Sequence, residues 1–177
     1  MNEETFWQLI DRTRQASGGD IVLQCNLLVS ALERMPVPDI FGYEDIYVRL
    51  VHAAFDERLW AAGCIMDDLS DDGFLDFRSW LISRGKTAYT ECVKDPESLV
   101  NYATRGERVT AEEMNSVAAR AYQLKTGTGS FVDSYVPKQE CPEIKDASFD
   151  WKTAEGYPDQ DRLRLIFPKL FSTFGGR

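Results

Sequence analysis

At 177 residues, with 44% hydrophobic side chains that include 10 Phe, 7 Tyr and 4 Trp, the chain has enough apolar material for one domain of ordinary size. Its 20 basic residues are scattered among 29 acids for a net charge of −9, the wrong sign for a protein that holds nucleic acid or an anionic membrane by neutralising phosphates. The opening MNEETFWQLI is acidic and polar where an export signal is positive and then apolar, and no later stretch is long enough to span a bilayer, so a cytoplasmic protein is expected.

In chain order, apolar residues recur at helical spacing up to about Thr126, and no β-branched alternation is long enough for a sheet. Asn2 caps a first helix with Glu3 and Glu4 in its positive first turn and Phe6, Leu9 and Ile10 on one side; Ser17, Gly18 and Gly19 break it. Asp20 caps a second helix with a stripe of Ile21, Cys25, Leu28 and Leu32, stopped by Pro36 and Pro38. Asp39 starts a third, burying Tyr43, Ile46, Tyr47, Leu50, Val51 and Ala54, and Asp56 caps a fourth carrying Leu59, Trp60, Gly63 and Cys64.

An acidic turn leads into a fifth helix that ends at Gly85, a natural left-handed cap. Short helices follow around Ala88–Val93 and Glu97–Ala103, and Thr110 with Glu113 reads as a capping box opening a helix to about Lys125. From Gly127 the chain is rich in Gly, Pro, Ser and Lys yet holds Phe131, Tyr135, Phe149, Trp151 and Tyr157, too many aromatics for a disordered linker. The expected architecture is mainly α: a single-domain helical bundle over 1–126, with 127–177 forming an irregular aromatic-rich arm and a short final helix around Leu163, Leu165 and Ile166 packed on it.

The chemistry is concentrated in IMDDLSDDGFLDFRSWLISRG, residues 65–85. Written as a calcium loop, it places Asp68, Ser70 and Asp72 at the first three ligand positions, Gly73 at the sharp turn and Asp76 at the ninth, but the twelfth, a bidentate Glu, is Ser79. Helix capping accounts for part of the string instead: Ser70 sits at the N-cap, with Asp71 and Asp72 in the first turn. No metal or cofactor is therefore expected, and Asp68, Asp72 and Asp76 are the only metal candidates here. On a helical projection Arg78 falls between Phe74, Phe77 and Leu81 on one side and Leu75 and Ile82 on the other, so it is expected to take a carboxylate, either Asp71 or an acid of a neighbouring helix. Asp72, Asp76, Ser79 and Ser83 form a separate polar stripe, either solvated surface or the wall of a cleft.

With those residues in view, the chain resembles the bacterial family catalogued as domain of unknown function 4240. The likeness rests on Phe6-Trp7, on Leu59-Trp60-Ala61-Ala62, on Ser70-Asp71-Asp72-Gly73-Phe74 continuing as Phe77-Arg78-x-Trp80-Leu81-Ile82-Ser83-x-Gly85, and on Asp95-Pro96-x-Ser98-Leu99. It covers roughly 1–126, with a weaker echo over 163–174, and implies a helical, cytoplasmic, bacterial protein with no assigned activity. One departure is visible: the family pattern has Gly-Gly-Cys where this chain reads Asp68-Leu69-Ser70.

Two functions compete. The first is a binding or regulatory module, monomeric or a small homo-oligomer, that recognises a protein partner or a small-molecule ligand through an edge of Trp60, Asp71, Asp72, Arg78 and Trp80, with Trp60, Arg78 and Trp80 as ligand-binding candidates. The second is an enzyme of hydrolase or transferase type, metal-assisted or not, in which Asp71, Asp72 or Asp76 is catalytic and Arg78 holds an anionic substrate. No phosphate loop or zinc spacing occurs, and the lone His52 limits acid–base chemistry. Cys25, Cys64, Cys92 and Cys141, widely spaced, read as reduced buried thiols.

Overall fold

The computed structural model describes residues 1–67, 69–127, 130–138, 152, 153, 156 and 158–175. Among them the chain is all helical, with no strand beyond an isolated bridge between Lys152 and Pro158. The first helix, α1 (Glu3–Ser17), is capped by Asn2, whose side-chain oxygen accepts from the Thr5 amide at 2.8 Å, and α2 (Ile21–Glu33) by Asp20 in the same way. Helix α3 (Val37–Ala53) begins two residues before Asp39, because Pro36 precedes it and Pro38 fits its first turn, where an amide donor is not needed. Asp56 caps α4 (Glu57–Met66) and Ser70 caps α5 (Asp71–Ser83). Gly85 adopts φ 97° and ψ 169°, so it does not close α5 in the left-handed helical geometry; it turns the chain into α6 (Lys86–Lys94).

Beyond α6 the chain tightens into two 3-10 segments, η1 (Pro96–Asn101) and η2 (Glu112–Ser116), the second leading into α7 (Val117–Thr126). The capping box expected at Thr110 and Glu113 does not form. Arg108 captures both side chains, donating from Nε to Thr110 and in two-pronged fashion to Glu113, while the Ala111 amide donates to the Asp76 carbonyl and ties this segment to α5. A neighbouring arginine has outcompeted the capping box.

Helix α2 packs along both α1 and α7, and α5 packs on α1, α3, α4, α6 and η2, so the acidic-turn helix stands at the centre of the bundle. Its inner face is continuous with the buried residues of α3 that periodicity marks, Tyr43 through Ala54. Gly63 on α4 is a point of close approach: a Cβ there would meet Leu69 at 2.6 Å. Of the arm, α8 (Phe131–Ser134) and Tyr135 cluster with Phe41 and Tyr122, and the Tyr135 hydroxyl donates to Asp45. Cys141, Phe149, Trp151 and Tyr157 lie outside the described residues.

The chain closes with two short helices, α9 (Gln160–Ile166) and α10 (Pro168–Phe174). The short helix expected around Leu163, Leu165 and Ile166 is α9, and the buried stripe of the pair is Leu163, Phe167, Leu170 and Phe174, with Leu165 82% exposed. The helical repeat runs through Pro168, which breaks the helix without breaking the face. Glu97 holds this end against η1 by accepting from the Lys169 and Leu170 amides, a cap supplied from a distant element.

Candidate functional site

The acidic turn resolves into a helix start. The Ser70 hydroxyl accepts from the Gly73 amide at 3.2 Å, and Asp71 and Asp72 are exposed in the first turn, where the helix dipole favours them. The chain is regularly helical from Asp71 on, so Asp72 and Asp76 occupy successive turns instead of an irregular ligand loop. Asp68 lies outside the described residues, and among those described no group of three acids, cysteines or histidines is placed to hold a metal ion.

The apolar side of α5 builds a ladder of rings. Trp60 stacks on Phe74 with centroids 5.0 Å apart and planes 5° apart, Phe74 leads to Phe77 at 6.3 Å, and Phe77 to Trp80 at 5.5 Å. The Trp60 indole donates to the Leu69 carbonyl, and the Lys152 ammonium lies 4.3 Å from its ring centre. Each stacked pair adds about 0.5–1.5 kcal/mol to what burial alone supplies. Trp60 and Trp80 are thus buried at the two ends of one structural element.

Arg78, 4% exposed, sits beside this ladder and departs from expectation in its partners. Among the described residues it has no carboxylate within ion-pair distance. Its Nη1 donates to the Val51 carbonyl at 2.8 Å, its Nε to the Phe74 carbonyl at 3.2 Å, and its guanidinium lies over the rings of Phe74 and Phe55 at 4.7 and 5.1 Å. Val51 belongs to the last turn of α3, where carbonyls lack helical donors and carry the negative end of the dipole. Arg78 therefore caps α3 from another helix, joined by Tyr89, whose hydroxyl donates to the Leu50 carbonyl at 2.7 Å. Burial pulls the guanidinium down to about 10, still protonated at neutral pH, and burial followed by the Arg78 charge lowers the neighbouring His52.

The polar stripe divides: Asp72 is exposed, Ser83 lines a cavity, and Asp76 and Ser79 join a seam with Tyr47 and Asn115. The Tyr47 hydroxyl donates to Asn115 Oδ1 at 2.6 Å and lies 2.7 Å from Ser79 Oγ, Ser79 Oγ lies 3.1 Å from the same amide oxygen, and the Asn115 amide donates to Asp76 Oδ1 at 3.0 Å. Asp76, half-buried, has its carboxyl raised by burial, with the Asn115 bond opposing the shift. Of the cysteines, Cys25, Cys64 and Cys92 are buried, and burial pushes Cys25 and Cys92 up to about 12, far from a reactive thiolate.

On the far side of Trp80 the fold leaves a cavity of about 220 Å³. Trp80, Ser83 and Arg84 from α5 meet Arg14 from α1, Ile21 and Gln24 from α2, and Glu107 and Arg108 from the loop before η2. Arg84 lies 5.3 Å from the Trp80 ring and is held by Glu107 at 3.0 Å and the Tyr102 carbonyl at 2.6 Å. Gln24, 2% exposed, donates to the Ser83 carbonyl at 3.0 Å. Arg14 differs: among the described residues it has no ion pair, and its Nε is sealed from solvent without an acceptor.

Every residue that lines this cavity falls within residues 1–124, the stretch matched by the family model described as protein of unknown function (DUF4240). The chain belongs to the DUF4240 family. No curated protein and no solved structure matches it. The DUF4240 span takes in α1 through most of α7, and with them the ring ladder, Arg78 and the cavity, while the Lys152 that covers Trp60 lies beyond it.

Of the residues singled out from sequence, Trp60, Arg78 and Trp80 are brought together along the ladder, Asp71 and Asp72 stand apart on the exposed turn, and Trp80, with Ser83 of the polar stripe, lines the cavity. Arg14, Gln24 and Arg84 escaped notice. Gln24 carried a signal, since it sits between Ile21, Cys25 and Leu28 on the buried stripe of α2, where an amide needs a reason. Arg14 carried none, being a basic residue in a helix's last turn like many others.

Proposed function

We propose that this chain is a small-ligand-binding module, bacterial and cytoplasmic as the family resemblance implies, whose site is the cavity beside Trp80. The observation that carries the reading is the convergence of three guanidinium groups, Arg14, Arg84 and Arg108, with buried Gln24 and Ser83 on one concave space in a chain of net charge −9. Concave sites with an aromatic wall and a few converging polar groups are where small molecules bind. A regulatory protein that senses a metabolite needs no more than this.

The test is a thermal-shift screen of the purified chain against a metabolite library, repeated on Ile21→Trp, which fills the cavity without altering a charge. A ligand at a hundred times its dissociation constant stabilises the fold by about 2.7 kcal/mol. Hits that vanish in Ile21→Trp support the reading; hits that survive place binding elsewhere, and a screen without hits moves the reading to a protein partner, to be sought by pull-down.

An enzymatic reading is favoured by one observation, the raised carboxyl of Asp76 in its network with Asn115, Ser79 and Tyr47. With Asp71, Asp72 and Arg78 it would act as a hydrolase or transferase. Turnover of ester or phosphate-ester substrates, with and without divalent metals, that is lost in Asp72→Asn or Asp76→Asn at unchanged stability is the result it requires.

A further inference from the structure

We infer that the cavity beside Trp80 recognises an oxyanion on a small hydroxylated molecule, a phosphate ester or a hydroxy acid, through Arg14; this rests on the cavity being the binding site proposed above. The inference comes from the separate fates of the three guanidinium groups. Arg108 is bound to Glu113 through both terminal nitrogens, at 2.9 and 3.3 Å, and Arg84 is bound to Glu107 and the Tyr102 carbonyl. Those two cations are neutralised and oriented by their own acids. Arg14 makes no ion pair among the described residues, although the Asp11 carboxylate approaches the same point beside Gly85 as its Nε, so its charge is the one in the cavity not fixed by a bonded acid.

Arg14 is also left with a donor that folding should not strand. Its Nε is buried with no acceptor, and a buried donor without a partner is a cost that native proteins seldom carry unrelieved. That sealed Nε lies out of a ligand's reach, so an oxyanion in the cavity is met by the terminal nitrogens of Arg14, and the planar guanidinium suits two parallel bonds to carboxylate or phosphate oxygens. The other wall asks for donors. Gln24 spends its amide nitrogen on the Ser83 carbonyl and its oxygen accepts from no described residue, while the Ser83 hydroxyl gives its proton to the Trp80 carbonyl at 2.6 Å and keeps its lone pairs. Two acceptors opposite a cation fit hydroxyl groups on the body of the ligand, with Trp80 and Ile21 offering carbon surface between.

The experiment is calorimetric titration of the full chain with glycerol 3-phosphate, lactate, inorganic phosphate and neutral glycerol, on the parent, Arg14→Gln, Arg14→Lys and Ile21→Trp, with circular dichroism on each variant to establish folding. Glycerol 3-phosphate or lactate should bind where glycerol does not. Arg14→Gln should weaken that binding by about ten- to a hundredfold, the value of a charge-assisted bond pair; Arg14→Lys should restore part of it, and Ile21→Trp should abolish it. Equal binding of phosphate by parent and Arg14→Gln would mean an adventitious ion only. No binding by any anion at millimolar concentration, or tight binding of glycerol, overturns the inference. If neutral library compounds still bind and are expelled by Ile21→Trp, the cavity reading survives and only the anion is lost.

Discussion

Arg78 and Arg84 leave the same helix, six residues apart, and end in opposite circumstances. Arg78 is packed against two phenylalanine rings and donates from Nη1 to the Val51 carbonyl at the end of α3 and from Nε to the Phe74 carbonyl of its own helix. Arg84 is fixed by Glu107 and a carbonyl at the rim of a cavity in which a third arginine, Arg14, stays unpaired. The more deeply buried arginine, which looks like the functional one in sequence, is a structural cap. The ordinary-looking pair at the helix ends frames the candidate site. Depth of burial therefore says less about function than what a group is bonded to.

The largest effect should come from emptying the Arg78 socket. Arg78→Ala removes the packing between Phe55 and Phe74 and strips Val51 of its donor, an expected loss of about 3 kcal/mol. Arg78→Met refills the space and gives up only the polar bonds, so urea denaturation should show it losing less than half as much; equal losses would make the cation itself the stabilising element. At the other arginine, Arg84→Gln breaks a half-buried pair with Glu107 and should cost about 1 kcal/mol. Glu107→Gln should cost a similar amount, and the double variant less than the sum of the two, as a coupled pair requires.

Glu44, on the helix that Arg78 caps, is a counter-example in charge: among the described residues it has no ion pair, and burial pushes its carboxyl up to about 7 from 4.5. The folded state holds that proton more tightly than the unfolded one, so stability should fall as pH rises from 4.5 to about 7 and level off above. Glu44→Gln should melt higher than the parent at alkaline pH, with the gap closing towards pH 4.5; a gap constant across that range would show that the shift is absent. The smallest effect should be that of Asp72→Asn, which removes one exposed first-turn carboxylate and should lower stability by about 0.5 kcal/mol. A loss several times larger would mean that the acidic turn does more than start a helix.

Local chemistry made much of the fold legible. Asn2, Asp20, Asp56 and Ser70 each satisfy amides that a helix start leaves open, and an Asp, Asn or Ser side chain can do so wherever the chain goes next. The buried face of α3 followed from its spacing for the same reason: periodicity is set by the helix alone. Reading failed where a neighbouring side chain competed for the same groups or where a partner came from far along the chain. Thr110 and Glu113 had the right spacing for a box but were taken by Arg108, and Glu97 caps α10 across more than seventy residues.

The sequence by itself determined the helical class, the helix starts capped by Asn2, Asp20, Asp56 and Ser70, the apolar face of α3 and the signature string that places the chain in its family. These depend on interactions within one turn or on a repeat of 3.6 residues, both of which are written locally. Only the tertiary structure decided which charges are satisfied. Arg78 found a helix end where an acid was expected, and Arg14 was left without a partner, because the donors and acceptors that settle those outcomes lie on helices whose relative placement comes from packing the whole core. A charge in a sequence announces a need, and the fold determines what meets it.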